Sequence, residues 1–376
     1  MAEAAARGPL AGLKVVEFAS IGPGPHCAML LSDMGAEVLR IDREGGNGWP
    51  NPVVDRGRAT LTTDIRTEEG RAFCLDACDY ADVLIEGYRP GVMERLGLGP
   101  EILLARNPRL IYGRMTGWGQ EGPLARTAGH DINYIALTGA LAAIGQPGEP
   151  AVPPLNLVGD FGGGSMFLAF GVMAALYERE RSGKGQVVDA AIVDGVSSLM
   201  TFFAGSSAKS LIPLDRERNM LGGAAPFYRS YLCADGREVS IGPIEPQFYR
   251  LLLEHIHAPD DFLSGQYDNA NWVERSTLLC QIFAKRTADE WRALLEGTDA
   301  CFAPVLTLDE AAEHPHMKAR AVYTEHEGVQ QAAPAPRFSR TPGQIQTAGD
   351  AHALLEKWRV GERADFGADK SDGGNR

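Results

Sequence analysis

Three short segments of the chain carry side chains suited to moving protons. In Thr127-Ala128-Gly129-His130-Asp131-Ile132-Asn133-Tyr134, His130 follows a glycine and precedes an apolar pattern. That placement predicts a helix N-terminus, where free N–H groups favour the neutral imidazole. A neutral imidazole is a competent general base near pH 7. In Gly159-Asp160-Phe161-Gly162-Gly163-Gly164, the carboxylate stands before three glycines that allow another backbone or a ligand to approach closely. Asp160 suits a proton carrier or a carboxylate nucleophile. In Ile244-Glu245-Pro246-Gln247-Phe248-Tyr249, Glu245 opens a helix just after a strand and suits an acidic partner for a histidine. Each has an ordinary structural reading beside the chemical one: a capping histidine, an N-cap aspartate and a carboxylate complementing a helix dipole.

Of Arg43, Arg56, Arg58, Arg66, Arg89 and Arg95, most fall just past predicted strands or at the start of the helices that follow. Ligands of open α/β sheets bind beyond the carboxyl ends of strands, and guanidinium forks suit phosphate. Gly22-Pro23-Gly24-Pro25 lies where a dinucleotide fingerprint would, with Asp42 near the end of the second strand. Two prolines there remove N–H donors that would cradle a pyrophosphate, so a structural turn is the better reading than a nicotinamide site.

The elements that must hold these groups are legible as punctuation. Strands are predicted at 13–18, 37–41, 59–63, 83–85, 110–115 and 186–192. Helices are predicted at 25–34, 68–78 and 165–180, the last closed by Ser182-Gly183-Lys184-Gly185. Strands alternating with helices imply a parallel sheet covered on both faces. From about residue 225 a hairpin with an Asp235-Gly236 turn precedes helices near 247–255, 271–284 and 288–295. The expected organisation is a large domain over 1–200, a linker over 201–224, a small α+β domain over 225–315, a return to the large domain over 316–361, and a polar, disordered tail over 362–376.

The bulk composition of the 376 residues bounds the function. Hydrophobic content of 44% and charged content of 23% fit a globular chain of about two domains. A formal net charge of −13 argues against nucleic acid as a partner but leaves room for a polyphosphate ligand held by local arginines. The six cysteines contain no C-x-x-C pair, Cys74 and Cys78 read as small buried apolar groups, and no metal site is expected. The first nine residues lack the apolar run of a signal peptide, and no run of about 18 apolar residues suggests a membrane span. A cytoplasmic location is expected.

Taken together, several segments resemble the family III CoA transferases (the CaiB/BaiF superfamily), and within them the racemases of 2-methylacyl-CoA thioesters. These are Gly8 to Leu13, Gly87-Tyr88-Arg89-Pro90-Gly91, Met115 to Gln120, Ala128 to Tyr134, Asn156 to Ser165, Ser182 to Gln186 and Ile244 to Tyr249. The resemblance spans about residues 8–341. It implies a Rossmann-like large domain plus a small domain, two chains interlocked as a homodimer, and an active site at the subunit interface. It implies that His130 and Asp160 are an acid/base pair supported by Glu245. It places coenzyme A contacts on Arg43, Thr63, Asp64, Ile65, Arg66, Gly87, Tyr88, Arg89, Arg95, Gly129, Asp131, Ile132, Asn133 and Tyr134. The expected activity interconverts (2R)- and (2S)-2-methylacyl-CoA through an enolate, with no cofactor beyond the coenzyme A of the substrate. The alternative is a CoA transferase in which Asp160 is the covalent nucleophile.

Overall fold

The computed structural model describes residues 8–259 and 261–368. The described chain falls into two compact units. The first comprises residues 8–138, 155–199 and 321–368, and the second residues 139–154 and 200–320.

The first unit is built on six parallel strands: β1 (Lys14–Phe18), β2 (Glu37–Asp42), β3 (Arg58–Thr62), β4 (Val83–Glu86), β5 (Ile111–Thr116) and β6 (Gln186–Ala191), in the order β3-β2-β1-β4-β5-β6. β1 and β4 are buried on both faces, as a covered parallel sheet requires, with their carboxylates Glu17 and Glu86 paired to Arg58 and Arg114. Helices α1 (Pro23–Asp33) and α2 (Glu68–Asp79) follow β1 and β3. Thr67 starts α2 by accepting the Gly70 N–H at 3.0 Å, with Glu68 and Glu69 in the favoured first turn. Cys74 and Cys78 both face the core from α2, where burial pushes the Cys74 thiol up to about 12.

After α3 (Asp131–Leu137) comes a π-helical stretch, Leu157–Ser165, running into α4 (Met166–Ser182) and, past β6, into α5 (Ile192–Leu199). The glycine-rich approach to the helix predicted from residue 165 is therefore itself helical. The glycines are required by packing: a Cβ on Gly195 would lie 1.9 Å from the Gly163 carbonyl oxygen, and one on Gly163 2.5 Å from Val196 Cγ2. Because the π turn joins α4 without a break, Leu157–Ser182 forms one 26-residue helical run that contains an 18-residue stretch of mean hydropathy 1.4. By length and composition it is long and apolar enough to cross a membrane, which corrects the expectation of no such stretch; 33% of the qualifying window is buried in the fold.

Two further elements close the unit. The hairpin Tyr323–His326/Val329–Ala332 meets Arg56, whose guanidinium reaches Gln331 Oε1 at 2.5 Å and the Ala332 carbonyl at 3.1 Å. The C-terminal helix Ala351–Ala368 buries Trp358, which donates to Glu37 Oε2 at 2.7 Å. Helix thus continues into the expected tail as far as Ala368, and residues 369–376 lie outside the described residues.

The second unit holds an antiparallel sheet of β7 (Arg229–Leu232), β8 (Glu238–Ile241) and β9 (Phe302–Pro304), with helices α6 (Pro246–Ile256), α7 (Trp272–Phe283) and α8 (Ala288–Leu295). Phe227, Tyr231, Tyr249, Trp272, Phe283 and Trp291 dominate its core. The stretch expected as a linker belongs to this unit, together with residues 139–154. Arg216 supplies the reason, donating to the carbonyls of Ala142 at 3.0 Å and Glu149 at 2.6 Å.

Candidate functional site

In the first unit the strand order reverses between β1 and β4, the place where an open α/β sheet leaves a crevice beyond its carboxyl ends. A cavity of about 310 Å³ lies there. Ser20 and Ile21 line it after β1, Gly87 to Pro90 after β4 and Met115 to Trp118 at the end of β5 and just beyond; His130 and Asp160 share its wall. Two of the three proposed proton-handling groups therefore come together.

His130 is the N-cap of α3, with extended backbone, and is exposed. Its N–H donates to Asn133 Oδ1 at 3.0 Å, so Asn133 serves the turn that presents the ring. The segment is anchored from behind by Tyr134, whose hydroxyl donates to the Gly129 carbonyl and whose ring meets Trp118 edge-on at 4.7 Å. Gly117 is obligatory beneath that ring, because a Cβ there would sit 2.0 Å from Tyr134 Cζ.

Asp160 sits in the π turn, half-buried, and accepts from the Asn156 side-chain amide at 3.2 Å. Burial raises its carboxyl above the usual range, the nearby Asp131 carboxylate adds to this, and the Asn156 hydrogen bond and His130 oppose it. Its backbone N–H donates to Asp131 Oδ2 at 2.7 Å. Asp131 follows His130 in the chain, so one buried carboxylate ties the histidine's helix to the aspartate's turn. Gly159 makes that tie possible, since a Cβ there would lie 2.2 Å from Asp131 Oδ2. Gly22 lies against the same carboxylate, its built Cβ 3.1 Å from Asp160 Oδ2 at a φ of +71°. The Gly22-Pro23-Gly24-Pro25 segment is thus a tight turn into α1 that closes on Asp160, with Pro23 opening the helix.

A second cavity, of about 820 Å³, lies beyond the ends of β2 and β3. Arg43, Thr63, Asp64, Ile65, Arg66, Tyr88 and Arg95 all line it, seven of the residues expected to contact coenzyme A. Tyr88 lines both cavities, so the loop after β4 forms a wall common to the two. The cavity is electrostatically mixed: Asp42, Glu44 and Asp64 stand among its three arginines. Hydrogen bonds from the Arg66 side chain and backbone hold the Asp64 carboxyl down at about 2. An anionic nucleotide with an adenine and a pantetheine arm needs such a mixture of cationic forks, hydroxyls and apolar wall.

The remaining expected residues are placed as follows. Gly87, Arg89 and Gly129 line the first cavity with Tyr134. Asp131 is the tie described above, and Ile132 is exposed on α3. Glu245 is exposed at the N-cap of α6 in the second unit. Arg56 and Arg58, two of the arginines considered for a phosphate, stand just before β3 and at its first residue and are taken up inside the fold. Arg56 meets Asp33 at 2.5 Å and Arg58 meets Glu17 at 3.0 Å, both with buried side chains. Sequence reasoning passed over Asn156, Ser20, Trp118, Glu86 and Arg114. Glu86 had a signal, a carboxylate ending an apolar strand immediately before Gly87-Tyr88-Arg89.

The family model for CoA-transferase family III matches residues 10–349. The chain is 46% identical over 334 residues to the alpha-methylacyl-CoA racemase of Mus musculus, covering 89% of this chain and 87% of that protein. To the enzyme of the same name from Homo sapiens it is 45% identical, with the same coverage. Among solved structures, a CAIB/BAIF family protein from Brucella suis superposes with a TM-score of 0.80 at 27% identity, over 94% of this chain and 100% of that one.

Proposed function

The chain belongs to CoA-transferase family III, and from that premise we propose that it is an acyl-CoA racemase that interconverts the (2R)- and (2S)-epimers of 2-methylacyl-CoA thioesters. The observation that carries the reading is the cavity at the reversal of strand order, where His130 and Asp160 share one wall beside a larger cavity suited to coenzyme A. The thioester acidifies the hydrogen on the adjacent carbon. One group removes that proton as the enolate forms, and the conjugate acid of the other returns a proton to the opposite face; the roles exchange in the reverse direction. A carboxyl raised by burial, as at Asp160, is suited to holding a proton for delivery. Backbone N–H groups beside Asp131 hold the enolate oxygen in this reading. Arg43, Arg66 and Arg95 receive phosphates of coenzyme A, which is the substrate's own handle, so no resident cofactor is invoked.

The acyl-CoA reading is supported by the names of the relatives at 46% and 45% identity. The second copy implied by the family finds a seat on α4 in this reading. Met166, Phe170, Met173 and Tyr177 form an exposed apolar stripe at helical spacing there, with Phe170 73% exposed. We propose a homodimer on this ground, which sedimentation tests directly. The six free cysteines fit a reducing compartment, and we place the enzyme in the cytoplasm.

The test is to incubate a single epimer of a 2-methylacyl-CoA with the protein in deuterated water and follow the 2-proton and the epimer ratio by NMR. Deuterium uptake with drift towards both epimers is expected. Absence of exchange, with coenzyme A passing to an added free acid through a hydroxylamine-sensitive Asp160 adduct, would replace the racemase by a transferase.

A further inference from the structure

The loop after β4 supplies wall to both cavities, and a single buried guanidinium fastens it at two points. Glu86, the last residue of β4, is fully buried. Its Oε2 accepts the Tyr88 N–H at 2.7 Å and its Oε1 accepts Arg114 Nε at 2.9 Å. The other edge of the Arg114 fork reaches Glu94, with Nη1 to Oε1 at 2.8 Å and Nη2 to Oε2 at 3.4 Å. Glu94 lies in the short turn of helix Val92–Arg95, which presents Val92 and Arg95 to the larger cavity. Arg114, on β5, thus holds the start of the loop through Glu86 and its end through Glu94. Between them lie Gly87 to Pro90 on one cavity and Tyr88 on both.

We propose that Glu86, Arg114 and Glu94 are positioning residues that set the loop Gly87–Arg95 for coenzyme A esters, so that the thioester end and the nucleotide end of one ligand are registered by the same clasp. The proposal rests on the acyl-CoA reading above. None of the three residues is needed to touch the ligand. Glu86 and Arg114 are absent from both cavity walls, as is Glu94. A purely structural ion triad would serve the stability of the sheet without favouring either bound geometry. The fork makes the difference testable, because its second half reaches a nearly half-exposed carboxylate outside the core, where loss of a partner leaves the sheet itself intact.

The experiment uses the full chain with Glu94→Gln, Glu86→Gln and Arg114→Lys, each first checked for native circular dichroism. Free coenzyme A is titrated calorimetrically, and deuterium exchange of a 2-methylacyl-CoA is measured against ester concentration. For Glu94→Gln, coenzyme A affinity and KM are expected to weaken about 10-fold, with kcat within about twofold of the unaltered chain. Glu86→Gln and Arg114→Lys are expected to weaken both further, by up to about 100-fold. Glu94→Gln keeps the proposal falsifiable if the buried variants do not fold. Unchanged coenzyme A affinity in folded variants, or a fall in kcat that matches the rise in KM, overturns the clasp alone. Failure of the unaltered chain to bind coenzyme A overturns the acyl-CoA reading and the clasp with it.

Discussion

Gly159→Ala should be a catastrophic change that helix propensity would recommend. The glycine lies in the π turn, and its φ is not in the left-handed region, so alanine meets no backbone strain. In a helix interior alanine is favoured over glycine by about 1 kcal/mol. The added methyl, however, would lie 2.2 Å from Asp131 Oδ2 and 2.6 Å from its Cγ. To regain ordinary van der Waals contact the carboxylate must retreat by about 1 Å. That retreat breaks the 2.7 Å bond from the Asp160 N–H. A hydrogen bond to a charged group contributes about 1.5–3 kcal/mol, which outweighs the gain in propensity. Displacing a reacting group by about 1 Å costs on the order of 100-fold in rate. The expected result is therefore a folded protein whose deuterium exchange at saturating ester falls about 100-fold, with KM within about threefold because the coenzyme A cavity is untouched. The assay is NMR exchange in deuterated water beside calorimetric binding of coenzyme A. An alanine variant that keeps more than half of the native exchange rate would refute the idea that Asp131 spaces the two acid/base groups.

Three other outcomes follow from the geometry. Glu17→Ala leaves the Arg58 guanidinium buried without its carboxylate, and thermal or urea unfolding should register a loss of about 3–5 kcal/mol. Arg66→Ala removes a fork from the larger cavity whose pair with Asp64 is exposed, so the melting temperature should hold while coenzyme A affinity falls and loses part of its salt dependence. Burial pushes the Glu86 carboxyl up from 4.5 to about 7, against the opposing Tyr88 N–H and Arg114. Between those values the folded chain holds a proton that the unfolded chain has released, so this group's contribution to stability is largest at acid pH and declines as pH rises from about 4.5 to about 7. In melting curves against pH, Glu86→Gln should gain on the unaltered chain over that interval; a constant difference would contradict the shift.

How much was legible depended on whether a feature is local. The six strands of the parallel sheet announce themselves as apolar runs separated by helix caps and glycines, and their order brings Arg43, Thr63 and Tyr88 to one end of the sheet by topology alone. The three-residue β9 is too short for a pattern and exists because β8 offers it an edge. The helical form of Leu157–Ser165 carries no local signal, since glycine is a poor helix former and contact with α5 is what demands these glycines. The C-terminal helix mixes apolar and charged residues about evenly, and the burial of Trp358 and its bond to Glu37 decide it. His130 and Asp160 were identifiable from their glycine-rich settings, whereas the Asp131 tie between them spans 29 residues and is visible only in three dimensions. Arg56 and Arg58 misled for a related reason: grouped with the other arginines they suited a phosphate, but they precede and open β3, and buried Asp33 and Glu17 claim them.

The central claim is that two different groups serve the two faces of one carbon. It is tested most directly by presenting the (2R)- and (2S)-epimers of one 2-methylacyl-CoA separately to His130→Ala in deuterated water. The account predicts that racemisation stops, that deuterium no longer enters the epimer whose hydrogen faces His130, and that the other epimer still exchanges through Asp160 with retention. Continued interconversion of the epimers, or undiminished deuterium uptake into both, would contradict it.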